Sequence, residues 1–326
     1  MSARLVDYDY HLPRELIATR PPPRREDARM LVLYRKEQRI EHRRFVELRE
    51  FLRPGDLLVL NNTRVVAARR FSDDGKIEFL FLERLSPTRW KCLVRPGKKL
   101  RLGSTVRVGE INGQVAEICS DGERVINFEE EIDAHAGGHL PLPPYIGRQS
   151  DADDETRYQT VFADAPGALA APTAGLHFTS EILGELPHVF VTLHVGVGTF
   201  RPVQTQNVAD HRMHAERFAI SDASARAINQ ARRIIAVGTT SLRVLESARS
   251  DADGIVAQSG ETDLFIYPPY KFRVVDSLLT NFHLPRSTLL MLVSAFAGRE
   301  FVLAAYEEAI RENYRFYSYG DCMLIV

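Results

Sequence analysis

The sequence predicts an α/β main domain with a largely parallel sheet, interrupted by an inserted small antiparallel β-barrel. After residue 157, buried apolar runs alternate with helical segments, as in domains built around parallel strands. Between residues 71 and 128, short strand-like runs are separated by turn dipeptides at even spacing, which is typical of small barrels. We therefore expect a discontinuous α/β domain formed by 1–64 and 157–326, and a barrel with its return linker in 65–156.

The first half of the chain supplies the strands on either side of the predicted insertion point. The run 57–60 is a short apolar segment typical of a buried strand, and it ends abruptly at Asn61-Asn62-Thr63-Arg64. Before it, 30–34 alternates as a strand does and 45–52 has helical spacing. The predicted barrel strands are 76–82, 89–94, 105–108, 114–118 and 125–128.

The second half supplies the alternating helices and strands. Thr179 is placed to cap a helix over 180–186, and the aromatic segment 314–321 is predicted to be a strand. The other predicted helices are 221–232, 242–249 and an apolar one over 289–293, and the other predicted strands are 189–195 and 234–237.

Composition indicates an ordinary soluble globular protein. The 326 residues are 44% hydrophobic and 26% charged, which is enough for a substantial core and for two domains. Because the net charge is −1, contact with nucleic acid must rest on a local basic patch.

Nothing in the sequence indicates a membrane or secreted protein. The N-terminal segment lacks the apolar stretch of a secretory signal, and the longest apolar run, 289–297, is too short to span a bilayer. Cys92, Cys119 and Cys322 are scattered without metal-binding spacing. We expect a cytoplasmic protein with reduced thiols, and a monomer, because no exposed apolar helix demands a partner.

Two loops concentrate glycines, hydroxyls and histidines that a packed core does not require, at 171–178 and 194–202. Half of the chain's ten histidines lie between residues 177 and 214. Glycine lets the backbone turn sharply or approach a ligand, and histidine transfers protons near neutral pH. The residues concerned are Gly175, His177, His194, Gly196, Gly198 and Thr199.

Two further segments could bind a ligand. Gly238-Thr239-Thr240 lies between a strand and a helix, where free N–H groups favour anions, with Arg243 one turn on; the alternative is a simple helix cap. Asn281, His283 and Arg286 gather polar groups before the apolar helix, where the alternative is capping.

His211 and His214, with His194, could be interpreted as metal ligands. No established metal-binding motif supports this, so a polar surface segment is favoured.

Two basic segments could hold phosphates. One is the hairpin tip with Arg95, Lys98 and Lys99, and the other contains Arg20, Arg24 and Arg25. Most short basic runs are simply solvated.

Taken together, the motifs resemble the S-adenosylmethionine:tRNA ribosyltransferase-isomerase (QueA) family of queuosine biosynthesis. The matching segments run in order along nearly the whole chain: 8–13, 61–64, 94–99, 141–146, 158–161, 171–178, 194–202, 280–285 and 319–325. Two loops, 72–78 and 184–188, are shorter than is usual in the family. The first of these leaves any contact made by Lys76 open.

The resemblance implies that S-adenosylmethionine is consumed as a ribosyl donor, with no further cofactor and no metal. Its ribosyl moiety is transferred to 7-aminomethyl-7-deazaguanine (preQ1) at the wobble position of tRNA and rearranged to epoxyqueuosine, with release of adenine and methionine. The competing hypotheses are a metal-dependent hydrolase using His194, His211 and His214, and a non-catalytic RNA-binding module.

This chemistry needs a base for the 5′ carbon and an acid for the departing adenine. The candidate residues, with base and acid unassigned, are His177, His194, His214 and His283. The expected contacts to S-adenosylmethionine are Thr173, Gly175, Gly196, Gly198, Thr199, Arg201, Gly238, Thr239, Thr240 and Arg243, with Arg243 or Arg201 on its carboxylate. The expected contacts to tRNA or the modified base are Asn61, Asn62, Arg64, Arg95, Lys98, Lys99, Asn281 and Arg286.

Overall fold

The computed structural model describes residues 4–196, 198, 203, 205–251 and 254–326. The strands are β1 (Arg29–Tyr34), β2 (Arg39–Arg44), β3 (Asp56–Asn61), β4 (Thr63–Val65), β5 (Arg69–Phe71), β6 (Glu78–Ser86), β7 (Arg89–Arg95), β8 (Thr105–Val108), β9 (Ile111–Ile118), β10 (Arg124–Phe128), β11 (Ala165–Ala168), β12 (His188–Leu193), β13 (Glu216–Ile220), β14 (Arg233–Val237), β15 (Ser250–Asp251), β16 (Gly254–Ile255), β17 (Gln258–Thr262), β18 (Ser277–Asn281) and β19 (Cys322–Ile325).

The α-helices of the described chain span 5 to 13 residues. They are α1 (Ala152–Arg157), α2 (Ser180–Gly184), α3 (Asp222–Gln230), α4 (Gly238–Ser247), α5 (Thr288–Ala297) and α6 (Arg299–Arg311). The 3-10 helices are Leu5–Tyr8, Arg14–Leu16, Arg25–Asp27, Phe45–Phe51, Gly97–Lys99, Pro144–Ile146, Thr173–His177 and Val208–Asp210.

The main sheet is mixed, so the prediction of a largely parallel sheet is not confirmed. Its nine strands run in the order β17-β13-β12-β3-β14-β18-β19-β1-β2. The pairings β12–β3, β3–β14, β14–β18 and β19–β1 are parallel. The pairings β17–β13, β13–β12, β18–β19 and β1–β2 are antiparallel. The β1–β2 connection, 35–38, shows why: it is too short for the crossover that parallel strands require.

The sheet separates two layers of core because side chains alternate along a strand. In β3, Leu57 and Val59 join a cluster containing Leu242 of α4, whereas Leu58 and Leu60 join a cluster containing Phe178. Every residue of β3 is buried, which explains the continuous apolar run that marked this strand in the sequence.

The inserted segment forms a curled antiparallel sheet. Its six strands run in the order β5-β6-β7-β10-β9-β8, and they close around an aromatic core that includes Phe79, Phe81 and Trp90. Its two ends approach each other, since Arg107 Nε of β8 lies 3.1 Å from Asp73 Oδ2, just after β5. The segments that enter and leave it pair in parallel as β4 and β11.

Predictions for individual helices and strands were partly correct. Thr179 caps α2 as predicted, its hydroxyl accepting from Ile182 N at 3.2 Å, although the helix ends at Gly184. The predicted strand over 314–321 is wrong, because this segment forms turns and the strand begins at Cys322. Its aromatic rings pack instead, with Phe316 lying 4.7 Å from Phe282 between centroids.

The apolar helix predicted over 289–293 is α5, which is almost entirely buried. Ser287 caps its N-terminus, and the Ser287 hydroxyl accepts from Leu290 N at 3.2 Å. Within the described residues no single helix could cross a membrane; α5 and α6 reach the length and composition of a span only as a pair, bent by 113°.

Candidate functional site at the sheet edge

Four neighbouring parallel strands end at one edge of the main sheet and place most of the predicted residues there. These strands, β12, β3, β14 and β18, end at Leu193, Asn61, Val237 and Asn281. Ligands of open α/β sheets bind in the crevice outside the carboxyl ends of such strands. The inserted sheet leaves from the same edge, because β4 follows β3 directly.

Asn61 joins the ends of two of these strands. Its amide Nδ2 donates to Leu193 O at 2.9 Å, and its Oδ1 accepts from Leu193 N at 3.0 Å and from Thr63 N at 3.1 Å. Beside it, Asn62 Oδ1 accepts from Thr192 Oγ1 at 2.7 Å. Both amides thus shape the edge, and their predicted contact with the modified base stays a prediction.

His194 follows β12 and is half-buried at this edge. Its Nδ1 lies 2.9 Å from Thr63 Oγ1, and that hydroxyl donates to Ala165 O at 3.4 Å. When the Thr63 hydroxyl donates to the Ala165 carbonyl, its oxygen can accept from Nδ1–H, and in that tautomer the lone pair falls on Nε2. Burial, and then the charge of Arg217, lower the pKa of His194 below its ordinary value.

Gly167 packs against the His194 ring. A Cβ at this position would lie 2.9 Å from Nδ1, closer than real Cβ atoms come to other atoms, and the backbone φ is +144°. Only glycine suits both conditions, so Gly167 positions the imidazole. Neither Gly167 nor Thr63 was singled out for a role in the sequence; a Pro-Gly pair inside a strand was the signal available for Gly167.

A buried ion pair lies beside Gly196. Arg243 pairs with Glu216 Oε2, and Glu216 Oε1 accepts from Gly196 N at 2.9 Å. The Arg243 Nε also donates to Leu264 O at 3.0 Å. Since both side chains are less than 10% exposed, each charge needs the other. The predicted contact of Arg243 with a substrate carboxylate stays a prediction, and it would require that carboxylate to replace Glu216.

His214 is exposed and lies beside Gly198, where an added Cβ would come within 3.2 Å of the His214 ring. His211 lies against the Phe265 ring instead, at 5.3 Å between centroids. In the part of the chain that the structure describes, no three His, Cys, Asp or Glu side chains are grouped to hold a metal, so the hydrolase hypothesis lacks a site there. Thr199 and Arg201 lie outside the described residues.

His177 lies on the other side of the edge, in a 3-10 helix that packs on β18 and α4. Its Nε2 lies 3.0 Å from Asn281 Oδ1, and the Asn281 amide donates to Tyr317 O at 2.9 Å. This orientation of the amide makes Nε2–H the donor. Burial lowers the pKa of His177 to about 4. Asn281 therefore orients a neutral imidazole, and its predicted contact with tRNA stays a prediction.

The predicted contacts to S-adenosylmethionine near α4 lie against this 3-10 helix. Gly238 has a φ of +89° and begins α4, and an added Cβ there would lie 3.7 Å from the Ala174 Cβ. Thr239 is buried, whereas the buried Thr240 Oγ1 has no hydrogen-bond partner among the described residues.

The first of the two glycine-containing loops, 171–178, is tightly packed. A Cβ on Gly175 would lie 2.8 Å from Thr160 Cγ2, and Thr173, which begins the 3-10 helix, is half-buried.

His283 is enclosed. Its Nε2 lies 3.0 Å from Thr280 Oγ1, its backbone N–H donates to Tyr306 Oη at 2.9 Å, and its carbonyl accepts from Tyr10 Oη at 2.5 Å. Burial lowers its pKa to about 3. Nearby, Arg286 pairs with Asp9 at 2.5 Å.

Arg95, Lys98 and Lys99 are exposed at the tip of the curled sheet. None of the three is within ion-pair distance of a carboxylate in the described chain. Arg124 supports the tip from below, donating to Leu100 O at 3.0 Å and to Gly97 O at 3.1 Å. Arg64 is also exposed and donates to Ala163 O near the root of the insertion.

The chain is similar to known proteins over almost its full length. A profile of the family described as "Queuosine biosynthesis protein" matches residues 5–325. Proteins named S-adenosylmethionine:tRNA ribosyltransferase-isomerase from Acetivibrio thermocellus and Desulforamulus reducens are 49% and 46% identical, over 99% of this chain and 99% and 100% of theirs. A crystal structure of S-adenosylmethionine tRNA ribosyltransferase from Thermotoga maritima is 40% identical, has a TM-score of 0.57 and covers 98% of this chain and 100% of its own. Because the family profile matches almost the whole chain, the chain belongs to the queuosine biosynthesis protein family.

Proposed function

We propose that the protein is an S-adenosylmethionine:tRNA ribosyltransferase-isomerase. It transfers the ribosyl moiety of S-adenosylmethionine to the aminomethyl group of preQ1 at the tRNA wobble position and rearranges it to epoxyqueuosine. Adenine and methionine are released. The names of the relatives support this activity, and so does the position of His194 at the sheet edge, where its Nδ1 lies 2.9 Å from Thr63 Oγ1.

His194 is the base in this proposal. The 5′ carbon is acidified by the adjacent sulfonium, and a neutral imidazole can remove its proton. The lowered pKa of His194 keeps the ring neutral at pH 7, and the Thr63 hydrogen bond directs Nε2 to the task.

The acid that assists adenine departure is His214 in this proposal. Burial holds His177 and His283 neutral at pH 7, so neither has a proton to give readily. His214 is the exposed histidine of the set and lies beside Gly198. His177 and His283 then shape the site as neutral hydrogen-bonding groups.

The two substrates meet at the edge in this arrangement. The Thr240 hydroxyl, which has no partner in the described chain, and the turn at Gly238 contact S-adenosylmethionine, while Asn62 and Arg64 are near the modified base. Arg95, Lys98 and Lys99 bind phosphates of the anticodon stem-loop, where they supply affinity but little sequence selectivity. The proposal includes a cytoplasmic monomer that needs no further cofactor.

The test is a transfer assay with purified protein, preQ1-containing tRNA and ribose-labelled S-adenosylmethionine. We expect label in the tRNA with matching release of adenine, unaffected by a chelator, and no label in tRNA that carries unmodified guanine. Absence of transfer by folded protein contradicts the proposal. A tightly bound metal ion, with chelator-sensitive hydrolysis in place of transfer, would favour the hydrolase hypothesis, and tRNA binding without turnover would favour the RNA-binding module.

A further inference from the structure

A second group of cations lies beside His177 and is not used by the proposed reaction. Arg25 and Arg157 line a small pocket whose walls include His177, Ser318 and Gly320. Both arginines are half-buried, and they come from distant parts of the sequence: Arg25 from the proline-rich N-terminal segment and Arg157 from the end of α1.

Both guanidinium groups are fixed by backbone carbonyls. Arg25 donates to Leu176 O at 3.0 Å and to Thr156 O at 2.9 Å. Arg157 donates to Pro23 O at 3.1 Å and to Pro22 O at 2.5 Å. These neutral acceptors hold the two forks in place but do not neutralise their charges.

Neither arginine has a carboxylate partner within 4 Å in the described chain, unlike the cations around them. Arg20 pairs with Asp151 and Arg148 with Asp154, each at 2.5 Å. Glu26 interacts electrostatically with Arg157, but its carboxylate is bonded to Arg24 at 2.6 Å. The pocket therefore carries two positive charges without a counterion of its own.

This arrangement costs free energy in the empty protein. Burial, and then the charge of Arg157, lower the pKa of the Arg25 guanidinium. The buried Arg157 Nε has no hydrogen-bond partner in the described chain and remains available as a donor. An oxyanion in the pocket would neutralise both cations and accept from that group, and such charge-assisted bonds are among the strong ones in proteins.

We propose that the Arg25–Arg157 pocket binds one oxyanion of the substrates, either the carboxylate of S-adenosylmethionine or a phosphodiester of the tRNA. This deepens the proposed function and rests on it for the identity of the substrates. If the carboxylate of S-adenosylmethionine binds in this pocket, Glu216 remains paired with Arg243. The adjacent His177 places the pocket next to the sheet edge.

The test measures binding rather than turnover, using Arg25→Gln and Arg157→Gln. A carboxylate ligand predicts that the Kd for S-adenosylmethionine rises about 10-fold or more, while the Kd for its decarboxylated analogue is unchanged. A phosphodiester ligand predicts a higher Kd for tRNA, with a salt-dependence slope reduced by about one, and unchanged binding of S-adenosylmethionine.

Three controls make the result decisive. Arg39→Gln removes an exposed arginine that is already paired with Glu41 and lies outside the pocket, and it should change neither Kd. Arg157→Lys keeps the charge but loses the fork, so its effect should be smaller, which separates lost binding from lost folding. Inorganic phosphate is a third probe whose stabilisation of the wild-type protein should be lost in Arg157→Gln. If both Gln variants change all three measurements by less than about twofold, the pocket proposal is wrong, whatever the transfer assay shows.

Discussion

His194 differs from the buried candidate histidines, His177 and His283, in its partial burial and in its contact with Thr63. His177 and His283 are buried, whereas His194 is half-buried and its Nδ1 lies 2.9 Å from Thr63 Oγ1. A general base must direct its lone pair at the substrate, and in the proposed reaction the Thr63 contact leaves this task to Nε2.

The pH profile should report this residue. A base must be neutral, and burial lowers the pKa of His194, so the acid limb of the kcat/KM profile should lie below the ordinary histidine value of 6.5. His194→Gln should reduce kcat by about 100-fold or more and abolish this acid limb. An acid limb that persists in residual His194→Gln activity would assign the base to another group.

Gly167→Ala should impair the same step without touching the substrate. The new Cβ would press on His194 Nδ1, and the φ of +144° disfavours any side chain. We expect kcat to fall about 10-fold or more with a smaller change in KM, because imidazole orientation matters in the transition state.

Gly184→Ala is the matched control for that substitution. A Cβ at Gly184 meets no atom within 4 Å, so its kinetics should match those of the wild type. Equal kinetics for Gly167→Ala and Gly184→Ala would show that Gly167 does not position His194.

For single residues, the sequence predicts which residue types lie at the site, but it does not predict their hydrogen-bond or ion-pair partners. Gly175, His177 and Asn281 were chosen because they are unusual for a packed core, and they do lie at the sheet edge. The hydrogen bond from Asn281 to His177 and the ion pair between Glu216 and Arg243 join residues that are far apart in the sequence. No local pattern carries that information.

Among the elements, strands with strong apolar runs were predictable and strands without them were not. β3 and β14 are buried on both faces and were predicted, whereas β17, Gln258–Thr262, has no apolar residue and was not predicted. The direction of the strands was not predicted correctly either, because it depends on the connections and on the neighbouring strands rather than on composition. The boundaries of the two domains stay a prediction.

The curled sheet should contribute to tRNA binding through its tip. Replacing Lys98 and Lys99 by alanine removes two exposed charges that have no ion-pair partner in the described chain. We expect weaker tRNA binding, a salt-dependence slope smaller by about two, and an unchanged Kd for S-adenosylmethionine. Filter binding at several salt concentrations measures the first two.

Lys91→Ala is the control for the tip, because Lys91 lies on the same sheet but pairs with Glu83 at 2.8 Å. It should leave tRNA affinity nearly unchanged. An equal loss in Lys91→Ala would indicate a general effect of net charge rather than contact at the tip.

For the whole molecule, two buried histidines tie folding to pH. The pKa values of His177 and His283 are lowered by burial to about 4 and about 3, whereas an unfolded chain titrates them near 6.5. Between these values the unfolded state binds more protons than the native state, so acidification favours unfolding. The carboxylates with lowered pKa values, such as Asp56 and Glu47, add to this loss only at lower pH, below their ordinary values of 3.8 for Asp and 4.5 for Glu.

The free energy of unfolding should therefore fall steadily from pH 6.5 towards pH 4. Each buried histidine contributes a slope of up to about 1.4 kcal/mol per pH unit. His283→Gln retains an amide near Thr280 but does not titrate, so it should reduce the slope by up to about 1.4 kcal/mol per pH unit, whereas the same change at the exposed His11 should not alter it. Urea unfolding at pH 7, 6 and 5 measures all three proteins. If His283→Gln shows the wild-type slope, the enclosure by Thr280, Tyr10 and Tyr306 does not keep His283 neutral, and its exclusion from the acid role loses its basis.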